Sequence, residues 1–226
     1  LFKVVTKNML GLSATMKRKD GLTKVFKWFL GDIIFSKKRD GNEKVLVRGI
    51  HYNNTDPEYS ETLRNYRGEV KYSSMIKKIC EFNSRSEFIL RILKDTFKER
   101  PKCQIMILAH NKVLLRYLYS GINHHKIGSV GYYIGGMKEV DLKESEKKQI
   151  IVATYAMAAE ALDIKTLSVL LMATPKTDVE QAVGRILRKK DVHALVIDII
   201  DQHPVFQRQW KKRRTFYWKN KYIIHI

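Results

Sequence analysis

The sequence predicts an α/β fold in which a parallel sheet carries helices on both faces. Short apolar runs alternate with amphipathic segments along most of the chain, as they do where helices cross between parallel strands. The runs at residues 104–109 and 167–172 are predominantly apolar, which is typical of strands buried on both faces. With 226 residues and 44% hydrophobic content, the chain can bury one sizeable core.

The individual elements follow from the spacing of apolar residues and from residues that begin or end helices. Residues 22–30 have helical spacing and end before Gly31, and Asn111 is placed to cap a helix that runs to about residue 120. Residues 53–72 are polar and contain Pro57 and Gly68, so they are interpreted as an insertion or a mobile linker. Strands are expected at residues 7–12, 45–52, 104–109, 130–134, 149–153, 167–172 and 194–199, and further helices at residues 73–82, 85–98, 142–148, 156–161, 177–190 and 205–217.

The helix expected at residues 177–190 has two distinct faces. Thr177 and Glu180 have capping-box spacing after Pro175, and a stripe of apolar residues follows at helical spacing: Val179, Ala182, Val183, Ile186 and Leu187. Gln181, Arg185 and Arg188 share the second face, with Gly184 between the two. One glutamine and two arginines in a row suit phosphate oxygens. The alternative is a solvated basic face.

Small polar residues and glycines follow several of the predicted strands, where ligands gather in a parallel sheet. They are His110, Asn111, Gly135, Gly136, Thr154 and Thr174. Thr154, at the start of a helix with exposed N–H groups, would suit a phosphate, and Asp163 could accept hydrogen bonds from a sugar. An ordinary strand–loop–helix connection is the alternative interpretation of that segment.

The excess of basic residues indicates what kind of partner the protein binds. A formal net charge of +20 favours a polyanion, most often nucleic acid, with an acidic membrane surface as the alternative. No apolar run approaches the length that spans a bilayer. Cys80 and Cys103 lie in no metal-type cluster, so free thiols in a reducing, intracellular compartment are expected. The first residue is Leu1, so the chain is expected to be a fragment of a longer protein.

Five motifs occur along the chain in an order that is more specific than any one of them alone. The chain contains Gly-Leu-Ser-Ala-Thr at residues 11–15, a strand followed by His110 and Asn111, a Gly-Gly pair at residues 135–136, the segment 154–164, and Gln-x-x-Gly-Arg-x-x-Arg at residues 181–188. This order resembles the C-terminal half of a superfamily 2 helicase. The branch it resembles contains the xeroderma pigmentosum group B translocase, and helicases of large cytoplasmic DNA viruses are more similar still.

The resemblance implies a RecA-like fold and a function for each motif. Residues 1–30 would be the tail of a first, ATP-binding RecA-like lobe, and residues 31–226 the second lobe, with the polar insertion near 53–72. Arg185 and Arg188 would be arginine fingers, and Gln181 would sense the γ-phosphate of ATP. The remaining implied roles are nucleotide binding for Asp163 and Gly184, contact with the nucleic-acid backbone for Asn111, Gly135, Gly136, Thr154 and Tyr155, and coupling of hydrolysis to movement for Ser13 and Thr15.

The chain also departs from the helicase pattern. Met16 stands where the family usually has Pro, and Ala161 where it usually has Gly. The chain lacks a Gly-x-x-x-x-Gly-Lys-Ser/Thr loop and an Asp-Glu pair, which hold the ATP phosphates and Mg²⁺ in the first lobe. The expected partners are therefore ATP, Mg²⁺ held by the first lobe of the same polypeptide, and nucleic acid. The chain alone is expected to hydrolyse ATP negligibly.

Two matters stay open at the level of sequence. Residues 211–214 are all basic and have aromatic neighbours, which indicates either stacking on unpaired bases or a helix that packs its aromatics on the sheet. The leading function is a motor lobe on DNA, in transcription or repair, and the alternative is a non-catalytic nucleic-acid-binding module on the same scaffold. A viral source would place the protein in the host cytoplasm or the virion.

Overall fold

The computed structural model describes residues 7–12, 21–35, 45–160, 164–179, 183 and 194–226. The chain divides into two compact units, residues 1–40 and 41–226. In the first unit, helix α1 (Thr23–Leu30) ends at Gly31, whose φ of 79° favours glycine. Residues 7–12 are irregular, so the strand end predicted there is wrong. A strand needs a neighbouring strand to pair its backbone N–H and C=O groups, and the described residues of this unit contain no strand.

The second unit is built on one seven-stranded sheet. The strands are β1 (Leu46–Tyr52), β2 (Gln104–Ala109), β3 (Val130–Tyr133), β4 (Ile150–Thr154), β5 (Leu167–Met172), β6 (Leu195–Asp201) and β7 (Ile223–His225). Their order is β3-β4-β2-β5-β6-β1-β7, and every pair is parallel. The helices are α2 (Pro57–Ser60), α3 (Tyr72–Glu81), α4 (Asn83–Glu99), α5 (Lys112–His124), α6 (Glu139–Glu146), α7 (Tyr155–Glu160) and α8 (Pro204–Lys219). The predicted fold class is confirmed.

Alternation along the strands creates two cores, one on each face of the sheet. On β6, Leu195 and Ile197 belong to the cluster that includes side chains of α3, α4 and α5. Val196 and Ile200 belong to the opposite cluster, which includes side chains of α7 and α8. Strands β2, β5 and β6 are buried along their whole length, which explains why these sequence runs carry so few polar residues.

Two boundaries and one missed strand show where the structure departs from the sequence prediction. Helix α6 begins at Glu139 rather than 142, and its first turn carries Glu139 and Asp141, which suit the positive end of a helix. Strand β6 continues two residues past the expected end because its carboxylate at Asp201 has a buried arginine partner. Strand β7 was not predicted, because it is only three residues long and pairs with β1 at the edge of the sheet.

Residues 53–72 are packed against the sheet rather than forming a loose linker. Tyr59 on α2 is fully buried, and its hydroxyl donates to Asp201 Oδ1 at 2.7 Å. Gly68 lies in a turn with a φ of 76°, beside a bridge between Arg64 and Val70. The sequence did not predict this packing, because the segment is mostly polar and only Tyr59 is buried.

Helix α8 closes the sheet over β1 and β6. A Cβ at Gly49 on β1 would lie 3.1 Å from the ring of Trp210 and 3.0 Å from Ile200. The missing side chain therefore allows the indole to approach the strand closely. Among the described residues, no helix has both the length and the apolar character needed to cross a membrane.

Candidate functional site at the carboxyl edge of the sheet

The sheet brings several of the predicted site residues to one edge. Asn111 follows β2, Gly135 and Gly136 follow β3, and Thr154 ends β4. The strand order places β3, β4 and β2 side by side, and Ala109 on β2 is in register with Thr154 on β4. These residues thus share the carboxyl edge, where a parallel α/β sheet binds its ligands.

Each of these residues has a local structural role that leaves it near the surface. Asn111 Oδ1 accepts a hydrogen bond of 2.7 Å from the backbone N–H of Val113 and caps α5, as predicted. Thr154 is half-buried, and its hydroxyl oxygen lies 3.5 Å from the backbone nitrogen of Met157. Gly136 has a φ of 92° and follows an exposed Gly135. A ligand at this edge would meet the exposed backbone of the glycines and the half-buried polar side chains.

Tyr155 has a different setting from the other four. It is buried, and its hydroxyl donates a 2.6 Å hydrogen bond to the carbonyl of Thr174. Burial raises the pKa of this hydroxyl above its ordinary range, so it remains a donor at neutral pH. The contacts of Tyr155 favour a role in holding the loop after β5.

The other predicted site residues lie outside the described part of the chain. They are Gln181, Gly184, Arg185, Arg188, Asp163, Ser13 and Thr15. Of the apolar stripe that precedes and accompanies them, Val179 and Val183 are described, and both are buried. The N–H of Val183 donates to the carbonyl of Val179 at 2.8 Å, which is one turn of helical bonding.

Four consecutive carbonyls directly before this stripe are held by side chains. The loop comprises residues 173–176, which follow β5, and we name it the anchored loop. Its donors come from four helices: Arg85 Nη2 to Ala173 at 2.8 Å, Tyr155 to Thr174 at 2.6 Å, Tyr72 to Pro175 at 3.4 Å, and Arg213 Nη1 to Lys176 at 2.9 Å. A loop whose every carbonyl has a separate donor has a tightly defined path.

The two arginines that donate to the anchored loop, Arg85 and Arg213, are each paired with a carboxylate of β6. Arg85 donates through Nε and Nη2 to Asp201, whose Oδ1 also accepts from Tyr59. Arg213 donates to Asp198 through Nε at 2.7 Å and Nη2 at 2.8 Å. All four charged side chains are almost completely buried, and each pair is bidentate, which is the geometry that a buried ion pair requires.

Burial and charge oppose each other in the second pair. Burial raises the pKa of Asp198 above its ordinary value, and the guanidinium of Arg213 only partly offsets that effect. Burial alone would lower the pKa of Arg213, but the charge and hydrogen bonds of Asp198 outweigh it, so its pKa is raised. Arg213 therefore stays charged, and the pair depends on its close geometry.

His110 contacts the anchored loop from the end of β2. Its backbone N–H donates to Thr174 Oγ1 at 3.0 Å, and its ring Nδ1 lies 2.9 Å from the same oxygen. Partial burial, and then the charge of Lys176, lower the pKa of His110 to about 4. The imidazole is neutral at pH 7, and the ring packs 4.7 Å from that of Tyr155.

Sequence reasoning did not anticipate the anchored loop. The usable signal was the pair of carboxylates Asp198 and Asp201 within an otherwise apolar strand, since a buried carboxylate requires a partner. Arg85 lies 116 residues from Asp201 and Arg213 lies 15 residues from Asp198, and neither arginine stands out in sequence from the many exposed cations. Within the parts of the chain that the structure describes, no group of three or more His, Cys, Asp or Glu side chains could hold a metal ion.

Two viral proteins are similar to almost the whole chain. "Putative ATP-dependent RNA helicase L396" of Acanthamoeba polyphaga mimivirus is 37% identical over 98% of this chain and 44% of its own length. "Putative ATP-dependent RNA helicase QP509L" of African swine fever virus (strain Badajoz 1971 Vero-adapted) is 25% identical over 99% of this chain and 48% of its own length. The chain thus spans about half the length of the relatives it matches.

The comparison with solved structures concerns the fold alone. The crystal structure of T4 UvsW has a TM-score of 0.61 with 18% sequence identity, and the match covers 82% of this chain and 41% of that one. A search against models of protein families finds no match. The parallel sheet and the match to T4 UvsW agree on a RecA-like fold, and almost the whole chain is similar in sequence to viral proteins that are named putative helicases.

Proposed function

We propose that this chain is the C-terminal motor lobe of an ATP-dependent nucleic-acid helicase or translocase. The observation that carries the proposal is the anchored loop, because it leads directly into the segment that contains Gln181, Arg185 and Arg188. A catalytic arginine must be positioned to within a fraction of an ångström, and rigid attachment of the preceding backbone contributes to that. The names of the viral relatives support the same activity.

On the nucleotide side, Arg185 and Arg188 would neutralise charge that develops on the triphosphate during hydrolysis. Gln181 would contact the γ-phosphate, and Asp163 would accept hydrogen bonds from the ribose. An arginine finger contributes roughly a thousandfold or more to phosphoryl transfer. ATP would supply the free energy for movement, and Ser13 and Thr15 would transmit the hydrolysis event.

On the nucleic-acid side, the carboxyl edge of the sheet offers a grip on the phosphate backbone. Thr154 and Asn111 present polar side chains, and the Gly135–Gly136 turn lets a backbone approach closely, since a Cβ at Gly136 would meet nothing within 4 Å. Contacts of this kind read phosphates rather than bases, which suits a motor that moves along any sequence.

We propose that the full polypeptide supplies the remainder of the ATP site. Residues 1–30 would be the end of the first lobe, and that lobe would hold Mg²⁺ through its acidic pair. The two carboxylates of β6 are unsuited to a metal because each is engaged by an arginine. On this proposal the isolated chain has negligible ATPase activity, and it acts in the host cytoplasm or the virion.

We propose DNA as the nucleic acid along which the motor moves. RNA is the second candidate, because the relatives are named as putative RNA helicases. Both polymers offer the same phosphates to the carboxyl edge, so the backbone grip does not discriminate between them. Comparing ATPase stimulation of the full polypeptide by a DNA and an RNA of the same sequence decides between the two.

The test of the motor function uses the full polypeptide with Arg188→Ala. We expect nucleic-acid-stimulated phosphate release to fall about a thousandfold with unchanged nucleic-acid affinity. Arg91→Ala on α4 is the matched control, because Arg91 is exposed and lies away from the carboxyl edge. If Arg188→Ala instead weakens binding, and the parent protein has no ATPase activity, the non-catalytic binding module is the correct function.

A further inference from the structure

The outward face of helix α8 is a continuous basic stripe. Its members are exposed and recur at helical spacing over three turns: Arg208, Lys211, Lys212, Thr215, Trp218 and Lys219. We name this set the α8 stripe. The opposite face of the same helix is buried and includes Phe206, Trp210 and Tyr217. Because the buried face fixes the rotation of the helix, the cations of the stripe are held on one side.

The cations of the α8 stripe lack compensating carboxylates. Helix α8 contains no Asp or Glu, and among the described residues no acidic side chain lies within ion-pair distance of the stripe. Three exposed lysines on other helices, Lys77, Lys98 and Lys143, each have an acidic partner on their own helix. The uncompensated charge of the stripe favours an anionic ligand.

Trp218 adds an aromatic surface to these charges. Its side chain is 74% exposed, although Trp210, two turns earlier on the same helix, is almost completely buried. A large exposed indole beside lysines is a suitable platform for an unpaired base, because stacking uses the ring face while the cations contact adjacent phosphates. Duplex nucleic acid keeps its base faces stacked internally and would use only the charges.

The stripe leads away from the carboxyl edge. Helix α8 begins after β6 at that edge and returns along the sheet, because β7 starts soon after it and pairs Ile223 with Leu46, the first residue of β1. From Arg208 to Lys219 the helix rises about 16 Å at 1.5 Å per residue. Trp218 and Lys219 therefore lie toward the amino edge, at the opposite end of the sheet from Thr154 and Asn111.

We propose that the α8 stripe is a second binding surface for single-stranded nucleic acid, with Trp218 as the stacking residue. This inference rests on the proposed function only in taking nucleic acid as the partner. It needs neither ATP nor the motif at residues 181–188. The stripe gives the lobe a separate grip on an unpaired strand.

The test measures binding of the 226-residue chain to fluorescent dT20 and U20 over a range of salt concentrations. Lys211→Gln, Lys212→Gln and Lys219→Gln are combined, and the matched control combines Lys77→Gln, Lys98→Gln and Lys143→Gln. Both variants lose three exposed lysines, so they have the same net charge. We expect the stripe variant to reduce the slope of log affinity against log salt by about 2, at about 0.7 for each phosphate contact. The control should change the slope far less.

Trp218→Ala and Trp218→Phe separate stacking from charge. We expect Trp218→Ala to weaken binding of dT20 about fivefold or more, Trp218→Phe to restore most of it, and neither to change binding of a 20-base-pair duplex appreciably. The α8 stripe would not be the binding surface if the two triple variants changed the salt slope equally. The same conclusion would follow if Trp218→Ala bound dT20 with unchanged affinity. It would also follow from a shift in tryptophan emission that phosphatidylserine vesicles produce in the parent chain but not in Trp218→Ala, and that neither oligonucleotide produces.

The outcomes also distinguish this inference from the motor function. If the parent chain binds dT20 or U20 but the stripe variant behaves like its control, only the α8 stripe is wrong. If the parent chain binds neither oligonucleotide, single-stranded nucleic acid is the wrong partner for the stripe. An ATPase defect confined to Arg188→Ala would leave the motor function standing in both cases.

Discussion

Asp198 and Asp201 lie three residues apart on β6 and project from opposite faces of the sheet, yet the arginines they hold reach the same loop. Asp201 orients Arg85 toward the carbonyl of Ala173, and Asp198 orients Arg213 toward that of Lys176. One interior strand of the sheet thus supports the anchored loop from both faces. Because buried charges must be paired, the loop cannot shift without disturbing two ion pairs.

Asp201→Asn should strongly destabilise the protein. The substitution leaves the Arg85 guanidinium buried without its counter-charge, and breaking such a pair reduces the free energy of unfolding by about 3–5 kcal/mol. Urea denaturation followed by circular dichroism measures the change. Glu99→Gln is the matched control, since the pair between Glu99 and Arg48 is half-exposed and should change stability by about 1 kcal/mol or less. A similar loss in the two variants would contradict the importance of burial.

Tyr155→Phe should reduce stability without weakening nucleic-acid binding. The variant keeps the buried ring and removes only the hydrogen bond to the Thr174 carbonyl, worth about 1 kcal/mol net. Tyr66→Phe, at a side chain that is 89% exposed, is the stability control. If Tyr155→Phe binds oligonucleotides several-fold more weakly at unchanged stability, Tyr155 contacts the ligand directly. Thr154→Ala is the positive comparison, because the proposed grip includes Thr154.

The pKa of His110 should be about 4, well below the ordinary histidine value of 6.5. Its neutral form is favoured in the fold, so the unfolded chain binds the proton more readily. The contribution of His110 to stability is therefore present above pH 6.5 and is lost as the pH falls from 6.5 toward 4. NMR titration of the imidazole measures the pKa directly. In Lys176→Met the pKa should rise, since one of the two causes of its lowering is removed, and an unchanged value would rule out that contribution.

Gly131→Ala should disturb the contact between β3 and α6. An added Cβ would lie 2.8 Å from the Cα of Ser145, which is backbone and cannot rotate away. We expect a loss of about 1–3 kcal/mol in the free energy of unfolding. Gly135→Ala is the matched control, because its Cβ would meet nothing nearer than the Met157 sulfur at 3.9 Å. Equal stability of the two variants would mean that α6 can move outward freely.

The sequence predicted the regular part of the fold well for a definite reason. Strands such as β2 and β5 are buried on both faces, so burial imposes an apolar run that can be recognised without a structure. The cap at Asn111 was equally recognisable, since a side-chain acceptor before a helix has one common use. Tyr59 was not, because one buried aromatic in a polar segment leaves no periodic pattern.

The sequence by itself determined the α/β class, the basic charge and the order of the motifs, because each depends on composition or on spacing along the chain. Only the tertiary structure decided which arginines are structural and which are exposed. Arg213 and Lys212 are neighbours in one basic run, yet Arg213 is fully buried against Asp198 and Lys212 faces solvent. Partners that lie far apart in sequence settle that difference, since a charge can be buried only where the fold brings an opposite charge to it.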